Sequence, residues 1–544
     1  MKLCFIGADH EVTGSCHVIE VNGKYIMLDC GMEQGRDIYV NEDLPVPASE
    51  ISAVLLSHAH IDHSGLLPKL VADGFRGTIW STFVTKQLCE VMLKDSAHIQ
   101  EAEAEWADRK ARRSGRKQEG PLYTVKDAEF AMEFFRTVGY GEAFEPIEGV
   151  SARYEDAGHI LGSAIIYLTM QENGETRTLA FSGDLGNTEI PIVKDPTPRE
   201  TTDYVITEST YGNRTHEKAA DPVIQLAEIM NRTFARGGNV IIPAFAVGRT
   251  QEILYYIREM LERNMISNTD FDVFIDSPLA IEATQIFEEN TFGYYDDDAM
   301  KIIKEKGNPL VFPNLKMVIE VEQSRLLNTV DTPSVIISAA GMCTSGRIKH
   351  HLKHNLWRPE CTIAFAGYQA EGTLGRQLVD GAEDVRIFGE EIHVAAEIVQ
   401  LKDVSAHADQ NGLVHWLTDN PDKPMNVFVV HGEDTVADEY TELLKTTYGY
   451  EASAPYSGYV FDLLENKYLV TKEPEKVLNA EEREEQIRQD QNREQDIYTQ
   501  NKYYNELIKK GYRLIHLIEK RKDAKNKELE KFLKELDRLV DRWE

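Results

Sequence analysis

The chain has 544 residues, a length that suits two or three domains, and it is 42% apolar and 28% charged, as globular proteins are and disordered chains are not. No apolar run approaches the ~20 residues of a bilayer span, and the start, MKLCFIGADHEV, turns acidic too early for a secretory signal. Cys4, Cys16, Cys30, Cys89, Cys343 and Cys361 form no CxxC pair, so a reduced, cytoplasmic protein is expected and the secreted, membrane-spanning and collagen-like classes are excluded.

The formal net charge is −32. From Glu473 onward 17 basic side chains stand against 18 acidic ones, so nearly all of that charge lies in the preceding body. Any site for a polyanion must therefore be local, made of bound metal, helix N-termini and a few arginines.

In chain order, KLCFIGA, CHVIEV and KYIMLDCG read as short strands, the last two joined by an Asn22-Gly23 hairpin turn. ISAVLLS (51–57) is a further strand, followed by a loop and a helix-like SGLLPKLVADG. Residues 100–118 form a helical stretch ending in six basic residues among nine, best read as a solvated helix end. From 209 to about 395 the rhythm changes. NVIIPAF, DVFIDS, PSVIISAAG and CTIAFAGY are apolar strands that each precede a helix-like segment, the pattern of a parallel sheet with covering helices. Three of the following turns carry Gly and an arginine (Arg249, Arg347 with Ser345, and Arg376) near a helix start, where phosphate could be held. From 396 to about 470 short strands return, with SAHAD and VFVVHGE expected at strand ends. The charged tail carries an apolar seam at Leu529, Leu533, Leu536, Val540 and Trp543 and a second stripe at Leu507, Leu514 and Ile518. KRKDAKNK between them suggests a helical hairpin, which can pack within the chain or against a second subunit in a homodimer.

The chemistry is concentrated in Ser57-His58-Ala59-His60-Ile61-Asp62-His63. Four ligand-type side chains within six positions, directly after a strand, converge only if the chain turns around something. Neutral imidazoles with a carboxylate suit zinc best, with manganese or iron as alternatives. His58 and His60 could serve one ion while Asp62 and His63 reach a second. In a dry core without a cation this set would be unsatisfied.

This HxHxDH pattern resembles the metallo-β-lactamase fold, an α/β architecture built as an αββα sandwich. The remaining motifs of that fold follow in order: Asp29 in LDCG, His159 in GHILGSA, Asp184 in FSGDLG and His431 in VVHGE. The resemblance implies two zinc ions, one on His58, His60 and His159 and one on Asp62, His63 and His431, with Asp184 bridging them and Asp29 orienting the histidine loop. Glu208 in ESTYGNR and His407 in VSAHAD, together with His431, match the three extra motifs of the β-CASP nucleases, which insert an α/β domain into this fold. GADHEVTGSCHVIEVNGKYIMLDCG and the PAFAVGRTQE and AAGMCTSGR turns are also similar to this family, in particular to the bacterial and archaeal relatives of the pre-mRNA 3′-end cleavage endonuclease.

On that resemblance the expected layout is a metallo-β-lactamase domain in two parts (1–208 and 396–470), a β-CASP insertion (209–395) and a charged helical tail (471–544). Histidine rather than valine at position 431 favours RNA over DNA, and SAHAD resembles the endonuclease-type members. The expected activity is zinc-dependent hydrolysis of single-stranded RNA, leaving a 5′-phosphate and a 3′-hydroxyl, with His407, oriented by Glu208, as general acid. A small-thioester or lactone hydrolase would explain the zinc set but not Glu208, His407 or the insertion. A non-catalytic scaffold typically loses ligands that this chain keeps.

Overall fold

Period-two alternation of side chains builds the main body. In strand Lys2–Gly7, Leu3 and Phe5 point to one apolar cluster while Cys4 and Ile6 point to another; Ile26 and Leu28 part from Met27 in the same way. This strand sits within an eight-stranded sheet whose order is Lys467–Val470, Val460–Asp462, Lys2–Gly7, Cys16–Val21, Lys24–Leu28, Ile51–Leu55, Thr78–Ser81 and Phe135–Thr137. The computed structural model describes residues 1–35, 38–114, 120–216, 221–329, 332–370, 372–402, 404–477, 502–521, 525–540 and 542. Asn22 and Gly23 both take positive φ, 51° and 71°, as the hairpin turn requires.

A second, seven-stranded sheet runs Ala452–Ser453, Asn426–Val430, Tyr204–Glu208, Glu175–Phe181, Ala164–Glu172, Val150–Asp156 and Ala143–Ile147. Its Tyr204, Ile206, Phe428 and Val430 pack onto Phe5, Ile26 and Leu55 of the first sheet, while Val205, Val427 and Val429 turn outward to helices Gln410–Thr418 and Asp434–Thr446. Helices thus cover the outer faces of two stacked sheets, the αββα sandwich expected. Phe428 lies at the centre of the inner layer, its ring 5.2 Å from Phe5 and 4.9 Å from Phe461. Phe428→Ala is expected to cost about 3–5 kcal/mol, read as a lower urea midpoint; an unchanged midpoint would contradict the core assigned here.

The four apolar runs of the middle region do form a parallel sheet. Its order is Leu315–Met317, Asp272–Ile275, Ser334–Ser338, Val240–Pro243, Thr362–Phe365 and Glu397–Gln400. Both faces are covered: Val240, Ile242, Val335 and Ile337 enter one core, Ile241, Ile336, Ile363 and Phe365 the other, which is why these strands read as unbroken apolar runs. The strand Glu397–Gln400 still pairs with Thr362–Phe365, so the inserted sheet continues past the boundary expected at 395.

Contacts divide the chain into Met1–Glu475 and Lys476–Glu544. In the second unit helices Lys502–Lys520 and Asn526–Val540 flank the expected break; Leu507, Ile518, Leu533 and Val540 are exposed, and Trp543 of the seam lies outside the described residues. The helix expected near 100–118 runs from Phe83 to Ser114, and the remainder of its basic run also lies outside them. Among the described residues no helix is long and apolar enough to cross a membrane.

Candidate metal centre

The histidine loop leaves strand Ile51–Leu55 and closes into the short helix Ile61–Ser64, so that His58 and His60 join one donor group and Asp62 and His63 a second. His58 Nε2 lies 3.1 Å from His60 Nδ1, which is 3.2 Å from His159 Nε2. Asp184 Oδ2 is 3.6 Å from both His58 Nε2 and His159 Nε2. Donor atoms placed at the bond length of a tetrahedral zinc stand about 3.3 Å apart, so this spacing is that of a ligand cage. A second group adjoins it. His63 Nε2 is 3.2 Å from His431 Nε2, which is 3.7 Å from Asp62 Oδ2, and Asp184 Oδ1 is 3.3 Å from His63 Nε2. Asp184 therefore turns one oxygen to each group.

Hydrogen bonds aim these rings. Asp29, fully buried and at a left-handed φ of 57°, accepts from the Ser57 N–H at 2.7 Å, the Ser57 hydroxyl at 2.8 Å and His63 Nδ1 at 2.7 Å. Ser57 Oγ in turn lies 3.1 Å from His58 Nδ1. Thr210 Oγ1 stands 3.1 Å from His431 Nδ1, and the Ala406 carbonyl 3.4 Å from His159 Nδ1. In each case the far nitrogen is left for the centre. Close backbone approach also matters: a Cβ on Gly186 would meet the Gly158 carbonyl oxygen at 1.8 Å, so only glycine lets the Asp184 and His159 loops touch.

The protonation states of His58, His60, His159 and Asp184 fit cation binding. Burial holds the imidazoles of His58, His60 and His159 below their ordinary range, which keeps them neutral. Burial works against the charge on Asp184, but His431, His63 and His58 outweigh it and hold this carboxyl well below the usual carboxylate range. His63 shows the reverse balance, with burial overcome by Asp184 and Asp29 so that its pKa rises well above normal. Asp184 Oδ1 is buried and has no hydrogen-bond donor among the described residues. Converging lone pairs beside an orphaned carboxylate oxygen need a cation to be stable. The His/Asp cluster is thus a site for metal.

Beside it, Glu208 ends strand Tyr204–Glu208 and is buried. Its Oε1 accepts from the Leu185 N–H at 2.6 Å and lies 3.3 Å from His407 Nδ1; its Oε2 accepts from the Thr210 N–H at 3.3 Å. Burial lowers the His407 pKa, but Glu208, Asp184 and Asp62 prevail and raise it to about 9. The His407 side chain keeps 22% of its surface exposed. His407 does not end a strand, as expected above. It lies in a connecting segment pinned to the Asp184 loop by the Asn187 N–H to Ala406 (3.0 Å) and the Ala408 N–H to Leu185 (2.8 Å).

The arginines of the Gly-containing turns are each paired with a carboxylate. Arg249 is only 8% exposed and pairs with Glu252 one helical turn away. Arg347 donates to Asp276 Oδ1 at 2.7 Å and to the carbonyls of Val318 (3.1 Å) and Ile319 (2.6 Å), bracing the inserted sheet. Arg376 pairs with Asp380 at 2.9 Å, and the Ser345 carbonyl accepts from the Ala340 N–H at 3.4 Å. These guanidinium groups are committed within the protein. Conversely, Ser57 and Thr210 flank the motifs directly, yet a lone hydroxyl beside a motif gives no signal of its own. The GADHEV loop also supports the site, since the Ala8 carbonyl accepts from the His431 N–H at 2.7 Å.

Comparisons with known proteins agree with this geometry. Residues 11–76 match the metallo-beta-lactamase superfamily, 250–378 the Beta-Casp domain and 391–455 the Zn-dependent metallo-hydrolase RNA specificity domain. A ribonuclease of Thermus thermophilus is 35% identical over 80% of this chain and 94% of its own length. An RNase J-like protein of Methanocaldococcus jannaschii is 30% identical over 79% and 92%, and the transcription termination factor FttA of the same organism 28% identical over 84% and 70%. From the domain matches and the near-complete coverage of these relatives, the chain belongs to the β-CASP family of the metallo-β-lactamase superfamily.

Proposed function

We propose that this protein is a ribonuclease that hydrolyses single-stranded RNA at a pair of zinc ions. His58, His60 and His159 would hold one ion, Asp62, His63 and His431 the other, and Asp184 would join them. The observation that carries this reading is the pair of donor clusters, spaced as ligands and sharing the two oxygens of Asp184. Divalent ions held there supply an acidified water and neutralise charge on a phosphoryl oxygen.

The chain's own groups do the rest. Asp29 fixes the Ser57 and His63 orientations, which sets the donor directions of the whole loop. Glu208 holds His407 by Nδ1 and favours its protonated form, leaving Nε2–H to donate to the leaving oxygen. The family's RNA-specificity match over 391–455 contains both His407 and His431, which supports RNA as the substrate. The two donor clusters speak against a scaffold role, and a small-thioester hydrolase would leave the Glu208–His407 pair unexplained.

End-labelled RNA incubated with zinc-loaded protein tests the reading. Cleavage that stops with chelator is expected, whereas thioester turnover with intact RNA would overturn it. Asp29→Ala should weaken metal affinity about 10–100-fold, measured by competition with a chromogenic chelator; wild-type affinity would show that Asp29 does not aim the ligands.

A further inference from the structure

Arg214 is used differently from the arginines of the Gly-containing turns. It is exposed, and its guanidinium carbon lies 4.3 Å from the Tyr211 ring centre and 5.5 Å from that of Tyr368. It forms no ion pair with the described residues, whereas Arg249, Arg347 and Arg376 are all matched to carboxylates. A cation beside two rings, unpaired among the described residues, stands out in a body that carries nearly all of a −32 charge.

Its position is fixed relative to the chemistry. The Tyr211 ring is 6.2 Å from that of His407. The Arg214 carbonyl accepts from the Gln410 N–H at 3.0 Å, Gln410 Nε2 donates to the Gly212 carbonyl at 2.7 Å, and His216 Nε2 lies 3.1 Å from the His407 carbonyl. The turn holding Arg214 is thus tied to the segment holding His407. His60, Asp62 and His407 are the partly exposed members of the site, so a strand entering from solvent meets these side chains first. Two neighbouring rings steady the planar guanidinium, whose exposed N–H groups can make a two-pronged contact with a phosphate.

We propose that Arg214, beside Tyr211 and Tyr368, grips the backbone phosphate next to the scissile one and so places the RNA strand for His407. The proposal rests on the ribonuclease reading above.

The test uses the full chain and a fluorescein-labelled single-stranded oligoribonucleotide. Binding is followed by anisotropy in chelator across a salt series, and cleavage by the zinc-loaded protein. Arg214→Ala should raise KM and Kd about ten-fold, with a smaller change in kcat, and flatten the salt slope by about 0.7. Arg214→Lys should restore the slope, and Tyr368→Leu should raise KM while keeping it. The loss in Arg214→Ala should also be smaller on bis(p-nitrophenyl) phosphate, which has no neighbouring phosphate. Wild-type KM and slope in Arg214→Ala would overturn the proposal while leaving the ribonuclease reading intact. So would an equal loss on both substrates without recovery in Arg214→Lys. A wild-type protein that hydrolyses bis(p-nitrophenyl) phosphate but neither binds nor cuts RNA would overturn both.

Discussion

His407→Ala is expected to slow RNA hydrolysis about 10²–10⁴-fold, the usual worth of a general acid, while metal content and RNA affinity stay near wild type. Its Nδ1 faces Glu208 at 3.3 Å, and the ring is 22% exposed and so open to a leaving group. An RNA with a phosphorothiolate at the leaving position expels sulfur, which needs little protonation. On that substrate the variant should recover most of its rate relative to wild type. His431→Ala should not recover, because its proposed task is to hold metal. Loss of metal from His407→Ala, with no rescue by sulfur, would make His407 a ligand or a structural residue instead.

Asp184→Ala is expected to lose both metals and at least as much activity as His407→Ala. The reason is geometric: Oδ2 stands 3.6 Å from His58 and His159, and Oδ1 3.3 Å from His63, so one side chain serves both clusters. Elemental analysis of reconstituted protein measures this. A variant that loses one metal and keeps the other would show that Asp184 is not the bridge. A conservative Asp184→Asn separates charge from shape, since the amide keeps the size but cannot balance two cations.

Much of this arrangement is legible before folding is considered, and the reasons are physical. His58, His60, Asp62 and His63 lie so close in the chain that local geometry alone brings them together. The strands at 240, 272, 334 and 362 are apolar throughout because both faces of their sheet are covered, and such runs stand out in any sequence. His159, Asp184 and His431 are single residues whose convergence depends on contacts across hundreds of positions; only the ordered motif set identified them.

Other features were hidden for the same reason. The Glu252 partner of Arg249 sits three residues along one helix and could have been weighed, but the Asp276 partner of Arg347 is 71 positions away. A Gly-rich turn with arginine therefore points to a phosphate site, while the acid that pairs with Arg347 lies far along the chain. His407 was expected at a strand end; instead, backbone pairing with residues 185–187 fixes it. The contact of Arg214 with Tyr211 and Tyr368 joins residues over 150 positions apart and leaves no mark in composition or spacing.

The measurement that bears most directly on the account is anomalous X-ray scattering at the zinc edge from crystals of the zinc-loaded full chain. Two peaks are expected, one among His58, His60 and His159 and one among Asp62, His63 and His431, about 3.5–4 Å apart as in two-metal hydrolytic sites, with an Asp184 oxygen on each. A single peak, or metal held by residues outside this set, would contradict it.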